Sequence, residues 1–202
     1  MNVQIKALTY DAHQIKNLQK FLFKQIKNEF GYGYIPEYHE DIVKLDEYYI
    51  FPSRNNFFIA TNKETGEILA TIGLRGYDKD FDEFKNMYSN ESTASIWRLF
   101  VDEKYRRCGL ASLMFNIAEK FAYNSNYNEI YLHTHKTLDG ALQFWKKMGF
   151  EVTIDTNNEL QTVHMEKRIY NVNFINQLAM YKHAIKLWIT FGFWNKWVKP
   201  LE

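Results

Sequence analysis

The stretch Arg98–Phe121, RLFVDEKYRRCGLASLMFNIAEKF, changes hydrophobic period partway along. It opens as a strand, passes through a basic turn at YRRCGLA, and continues with Leu110, Leu113, Met114, Ile117, Ala118 and Phe121 at helical spacing. Such a helix buries one stripe against a sheet. Starting at Gly109 or Leu110, it presents unpaired N–H groups and the positive end of its dipole. Gly109 lets an anion approach the backbone, Arg106 and Arg107 offer forked cations, and small Ala111 and Ser112 keep the first turn open. Two readings fit this turn alone: a pyrophosphate site, or a helix start flanked by two solvated arginines.

Working outward, VQIKAL (3–8) reads as a strand. Asp11 caps a helix whose Ile15, Leu18, Leu22 and Ile26 share one face until Gly31. A long acidic, tyrosine-rich connection follows (32–56), with a short helix expected over EDIVKLDEYY; long connections in compact domains are often binding loops. FFIAT and EILATIGLRGY form a hairpin through NKETGE, and DKDFDEFKNMYSNEST is expected to be a polar loop leading to the strand ASIWRLFV. After the 110–121 helix come the strand EIYLHTH (129–135), a helix within DGALQFWKKMGF closed by Gly149, and a last strand, TVHMEKRI. This order predicts an α/β sheet with at least one parallel, right-handed crossover.

The 202 residues, 46% hydrophobic and 17% aromatic, suffice for one sizeable core. A formal charge of +1 gives no case for nucleic acid. A single cysteine, Cys108, excludes an internal disulfide, and the opening MNVQIKALTYDAHQ lacks the apolar run of a signal peptide, so a cytoplasmic location is expected.

The second motif is ALQFWKKMGF (141–150). Together with Arg106-Arg107-Cys108-Gly109-Leu110-Ala111 it resembles the GCN5-related N-acetyltransferases, whose pyrophosphate loop reads Gln/Arg-x-x-Gly-x-Gly/Ala and whose next helix carries an alanine, an aromatic pair and a terminal Gly-Phe. Here those are Ala141, Phe144, Trp145, Gly149 and Phe150. The order of elements agrees over roughly residues 1–168, and motifs are recognisable from about Ser95 to Glu151.

The resemblance implies a mixed, mostly antiparallel sheet with a central splayed parallel pair, flanked by helices. It implies acetyl-coenzyme A, attacked directly by an amine with no acyl-enzyme. Backbone groups of Leu99, Phe100 and Val101 would pair with the pantetheine arm, amides of Arg107, Cys108, Gly109, Leu110, Ala111 and Ser112 would hold the pyrophosphate, and Phe144 and Trp145 would wall the thioester region. Aromatics at helical spacing also suit core packing, and the two roles are compatible. Direct transfer gives Cys108 no nucleophilic part.

Three family positions differ. Ser95 stands where many relatives have a glutamate base, Trp145 where they have a tyrosine acid, and Leu138, beside Asp139, where they have an asparagine. Substitutes are visible on the strand 129–135: His133 and His135 lie on the same side as Tyr131, and an imidazole suits proton removal near neutral pH. Either is also compatible with a structural role, and no further Cys/His pattern implies a metal. Glu37 and Glu40, with Tyr34 and Tyr38, are alternatives on the acceptor side.

Residues 169–202 fall outside the core. Phe174, Leu178, Tyr181, Ile185, Trp188 and Ile189 mark a helical stripe, with Leu187, Phe191, Trp194 and Trp197 spread around it. Lys182, His183 and Lys186 interrupt any membrane span, so packing on the domain or in a homodimer is expected, with shallow membrane association as the alternative. Two functions stay open: an acetyltransferase for an amine of a small molecule, peptide or protein, or a catalytically weakened coenzyme-binding sensor or assembly module.

Overall fold

The computed structural model of the chain describes residues 2–79, 81, 84–85 and 87–169. The expected helical tail and its packing lie outside these residues. In chain order the elements are β1 (Val3–Ala7), α1 (Ala12–Phe30), α2 (Pro36–Val43), a π-helical turn (Asp46–Ile50), β2 (Asn56–Asn62), β3 (Ile68–Gly76), β4 (Thr93–Val101), a 3₁₀ turn (Glu103–Tyr105), α3 (Leu110–Asn124), β5 (Glu129–His135), α4 (Ala141–Lys147), β6 (Glu151–Asp155) and β7 (Thr162–Arg168).

The seven strands form one sheet in the order β1-β2-β3-β4-β5-β7-β6. All neighbours are antiparallel except β4 and β5, which α3 connects as a parallel pair. Two apolar layers hold the sheet. On one face Leu18, Leu22 and Ile26 of α1, Ile42 and Leu45 pack on Phe57 and Ile59; on the other Leu110, Met114, Phe115 and Ala118 of α3 pack on Ile72, Ile130 and Leu132.

Local chemistry fixes the ends of α1. The Asp11 side chain accepts from the Gln14 N–H at 2.6 Å, and Gly31, at φ 76°, donates its N–H to the Lys27 carbonyl.

Four sequence expectations need correction. The short helix after α1 begins earlier, at Pro36, and the segment behind it winds as a π turn. Leu113 is exposed, because it falls off the stripe completed by Phe115 and Ala122. The 78–93 connection is not simply polar: Phe84 and Tyr88 are buried against Tyr77 and Tyr131, with the Tyr88 hydroxyl donating to Glu166 at 2.7 Å. Finally β6, absent from the sequence reading, is an edge strand paired only with β7; its half-exposed residues carry little alternation.

Candidate active site

The parallel pairing of β4 with β5 consists of Thr93–Glu129, Ala94–Ile130 and Ser95–Tyr131, and then stops. Beyond Ser95 the strands diverge, each still paired with its outer neighbour, β3 or β7, so a wedge opens in the middle of the sheet. A bulge lies at that point. Arg98 has φ 49°, and Arg98 and Leu99 together face the single residue Ile72 between the Gly73–Trp97 and Thr71–Phe100 pairs. The Thr71 hydroxyl donates to the Arg98 carbonyl at 2.8 Å and fixes the distortion.

Below the wedge the chain leaves β4 through buried Asp102, whose carboxylate accepts from the Lys104 N–H at 3.2 Å and lies 3.3 Å from the Lys24 ammonium. The 3₁₀ turn then delivers Arg106 to Gly109. Arg107 (φ 62°) and Gly109 (φ 83°) both adopt the left-handed conformation, and no side chain caps α3. None of the amides from Arg107 to Ser112 donates to a backbone carbonyl among the described residues. A Cβ built on Gly109 would meet no atom within 4 Å. An exposed nest of unspent N–H groups at a helix start fits a pyrophosphate.

The two arginines differ. Arg106 pairs with Glu29 of α1 and donates from Nε to the Val101 carbonyl at 3.2 Å, so it braces the loop against β4. Arg107 is open, its nearest carboxylate Asp139 at 3.7 Å. The Cys108 thiol donates to the Tyr105 carbonyl and is exposed.

Leu99 and Val101 lie toward α3 and Phe100 toward α1; their backbone lies on the arm of β4 beyond the last β5 pair. Trp145 is 6% exposed, its ring edge-on to Phe115 and Phe150 at 5.7 and 5.2 Å. That places it in the core, with Phe144 half-buried beside it at 4.9 Å.

On the opposite arm His133 and His135 project with Tyr131 from one face of β5, their ring centroids successively 6.3 Å apart. His133 faces the edge of Trp97 at 6.2 Å across the wedge. More than a third of His133 is open, yet protein walls enclose the rest; that desolvation, then His164, His135, Lys79 and Arg98, push its imidazole down to about 3. Water on the open side screens part of this, and His133 is neutral at pH 7. Burial also lowers His135, though a hydrogen bond that its ring donates to the Leu160 carbonyl opposes this, and its Nδ1 lies 3.2 Å from the Thr162 hydroxyl.

Of the alternative acceptor-side groups, Glu40 is tied to Lys44 and Tyr48 at 2.9 and 3.0 Å. Tyr34 and Tyr38 are exposed. Stacked Phe30 and Tyr32 continue onto His39, and Phe30 also touches His135 edge-on at 6.3 Å. The last turn of α1 therefore reaches both arms, Glu29 to Arg106 and Phe30 to His135.

Sequence reasoning missed Trp97, Arg98 and Asp41. Trp97 alternates with Ser95 along β4 and was legible in principle, whereas the ion pair of Arg98 with Asp41 spans 57 positions and leaves no local pattern.

A family model described as Acetyltransferase (GNAT) family matches residues 20–150. The probable N-acetyltransferase san of Drosophila melanogaster is 41% identical over 74 residues, 35% of this chain and 38% of that protein. Other curated relatives are covered over 33% to 52% of their length, so the chain spans about a third to a half of each. Among solved structures, an acetyltransferase from Streptococcus agalactiae superposes with a TM-score of 0.66 at 18% identity, over 83% of this chain and 99% of that one. The PaiA N-acetyltransferase of Thermoplasma acidophilum in complex with coenzyme A gives 0.57 at 20% identity, over 83% and 99%. At these identities the superpositions establish a shared fold.

Proposed function

This chain belongs to the acetyltransferase (GNAT) family, and from that premise we propose that it transfers an acetyl group directly to a primary amine of a small molecule, peptide or protein. It is an acyltransferase, and its cofactor is acetyl-coenzyme A, which supplies an activated thioester carbonyl. The observation that carries the proposal is the end of β4–β5 pairing at Ser95–Tyr131, with the Gly109 nest below one arm and two histidines on the other.

In this reading the amides from Arg107 to Ser112 hold the pyrophosphate and Arg107 adds an adjustable cation. The free backbone of β4 near Leu99 and Phe100 takes the pantetheine arm as an added strand, while the Val101 carbonyl stays with Arg106. Phe144 forms the wall, and Trp145 supports it from the core.

The amine must lose one proton as its C–N bond forms and the thioester C–S bond breaks, and the leaving thiolate takes its proton from water. His133, neutral at pH 7, accepts a hydrogen bond from the attacking amine and orients its lone pair. Its lowered basicity makes it a poor terminal proton store. His135, 6.3 Å away, is the outlet, with water between the rings. Ser95, buried at the apex, has no partner for its hydroxyl among the described residues and carries no base. The lone exposed thiol of Cys108 supports a cytoplasmic setting.

The test is thiol release from acetyl-coenzyme A across a panel of amines, with the acetylated product detected by mass. His135→Gln should reduce turnover at least ~10-fold without weakening coenzyme binding. Coenzyme binding with no thiol release for any amine would instead favour the sensor or assembly module.

A further inference from the structure

On the acceptor side of the wedge, three cations crowd one indole. The Arg75 guanidinium carbon lies 3.8 Å from the Trp97 ring centroid, the Lys79 ammonium 4.5 Å and the Arg98 guanidinium carbon 5.8 Å. Only two carboxylates answer them among the described residues. Asp41 is taken by Arg98, and Asp78 by Arg75 at 3.2 Å. Lys79 has no carboxylate within ion-pair distance among the described residues, although it is only partly exposed.

The donors behind it are also unspent. Arg75 is 4% exposed, and its Nε and Nη1, like Trp97 Nε1 and Ser95 Oγ, have no hydrogen-bond partner among the described residues. Burying charged donors without acceptors is costly, and cation–π contact with Trp97 and Tyr48 offsets only part of that. An anion seated at Lys79 would complete the cluster. The cluster adjoins the histidine of the acetyl-transfer reading: the Trp97 and His133 rings meet edge-on at 6.2 Å, and the Lys79 charge reaches that imidazole.

We propose that Lys79, backed by Arg75 and Trp97, forms a carboxylate subsite, so that the acceptor is an amino acid rather than a polyamine. This rests on the acetyl-transfer reading above. A carboxylate on Lys79 leaves the amino group of the same small molecule pointing toward His133. The cations also disfavour an ammonium there and so favour the neutral, nucleophilic amine. A polyamine, bringing only positive charge, is repelled.

The experiment measures calorimetric binding of matched amines to the full chain loaded with coenzyme A, each amino acid against the α-amide that lacks its only carboxylate: glycine against glycinamide, alanine against alaninamide, glutamine against glutamine α-amide, with spermidine as the polycation. Thiol release from acetyl-coenzyme A is read separately on the same panel. The acid of each pair is expected to bind at least ~10-fold more tightly, the scale of one charge-assisted contact. Lys79→Gln should erase that preference and leave coenzyme affinity unchanged, and Lys79→Arg should keep most of it. Equal binding of acids and amides, no binding of any acid, tightest binding of spermidine, or a preference that survives Lys79→Gln overturns the subsite. A Lys79-dependent acid preference without thiol release supports the subsite and instead overturns the transferase reading.

Discussion

Arg98 and Asp41 make the most deeply buried ion pair of the described residues, with Nε 3.1 Å from Oδ2 and Nη2 2.6 Å from Oδ1, and side chains 14% and 5% exposed. Arg98 is the bulge residue of β4, and Asp41 belongs to α2. The pair therefore ties the connection after α1 to the strand where the wedge opens. The Tyr49 hydroxyl donates to the same carboxylate at 2.9 Å, and the Arg98 guanidinium donates to the Tyr38 carbonyl.

Removing one partner leaves a buried charge unanswered. Asp41→Asn is expected to lower the unfolding free energy by ~3–5 kcal/mol, whereas the double change Asp41→Leu with Arg98→Met should recover much of it. Urea denaturation of the three proteins is the check, and a single-variant loss below ~1 kcal/mol would show the pair to be ornamental. Burial alone would raise the Asp41 carboxyl, but Arg98, Arg75 and Tyr49 outweigh it and hold it below its ordinary value. The folded pKa is thus depressed. The stability it contributes is full above 3.8 and is lost as pH falls below that, through the folded pKa.

His133 gives an acid response of the same sign in a higher window. Its folded pKa lies below the unfolded 6.5, so the unfolded chain binds the extra proton first. Stability linked to His133 is full above 6.5 and declines as pH falls from there toward about 3. His133→Gln should therefore lose less stability than wild type between pH 7.5 and 5, measured by urea titration at both values. Equal losses would place the His133 pKa near its ordinary value.

Turnover should follow the same chemistry. With both imidazoles lowered, no rise in kcat/KM centred at 6.5 is expected; the histidine-dependent limb should lie on the acid side of it. A limb at 6.5 that disappears in His135→Gln would contradict this placement.

The nest predicts a separation between affinity and stability. Gly109→Ala adds a methyl where nothing lies within 4 Å, so folding loses only the left-handed strain, ~1 kcal/mol, while coenzyme A affinity falls ~10-fold or more as the approach closes. Arg107→Ala should weaken affinity in a salt-dependent way with an unchanged melting temperature. Arg106→Ala should also lower stability, because Arg106 holds Glu29 and the Val101 carbonyl. Thermal unfolding beside calorimetric titration separates the three, and unchanged affinity in all would remove the loop from the cofactor site.

Trp145 tests how far family roles transfer. Trp145→Ala should cost ~3–5 kcal/mol, since the ring fills the space between Phe115 and Phe150. Trp145→Tyr should not raise turnover, because the side chain at this position faces the core. A clear gain in kcat would show that a phenol there reaches the leaving thiolate.

The sequence was most informative where the chemistry is local. Asp11 and Gly31 bound α1, the glycine turn starts α3, and EIYLHTH is β5 in full. Elements defined by distant partners were illegible. Nothing in ASIWRLFV marks Ser95 as the last residue paired to β5 or Arg98 as a bulge, because both depend on what the neighbouring strands do. β6 was missed because an exposed edge strand needs little hydrophobic alternation. Phe84 and Tyr88 were missed because charges separate them in sequence while Tyr131 gathers them in space. Within the site, the nest and the two histidines were legible from spacing. The cation cluster around Trp97 was not, since Arg75, Lys79 and Arg98 converge from three segments.

Direct acetyl transfer is tested most plainly by mixing the full chain with acetyl-coenzyme A and amino acid acceptors and following both products by mass spectrometry. The predicted result is one free thiol for each acetylated amine, no acetyl group on the protein, and a large loss of both products in Gly109→Ala at limiting coenzyme. Tight coenzyme binding with neither product, or acetylation of Cys108 on the path to product, would contradict it.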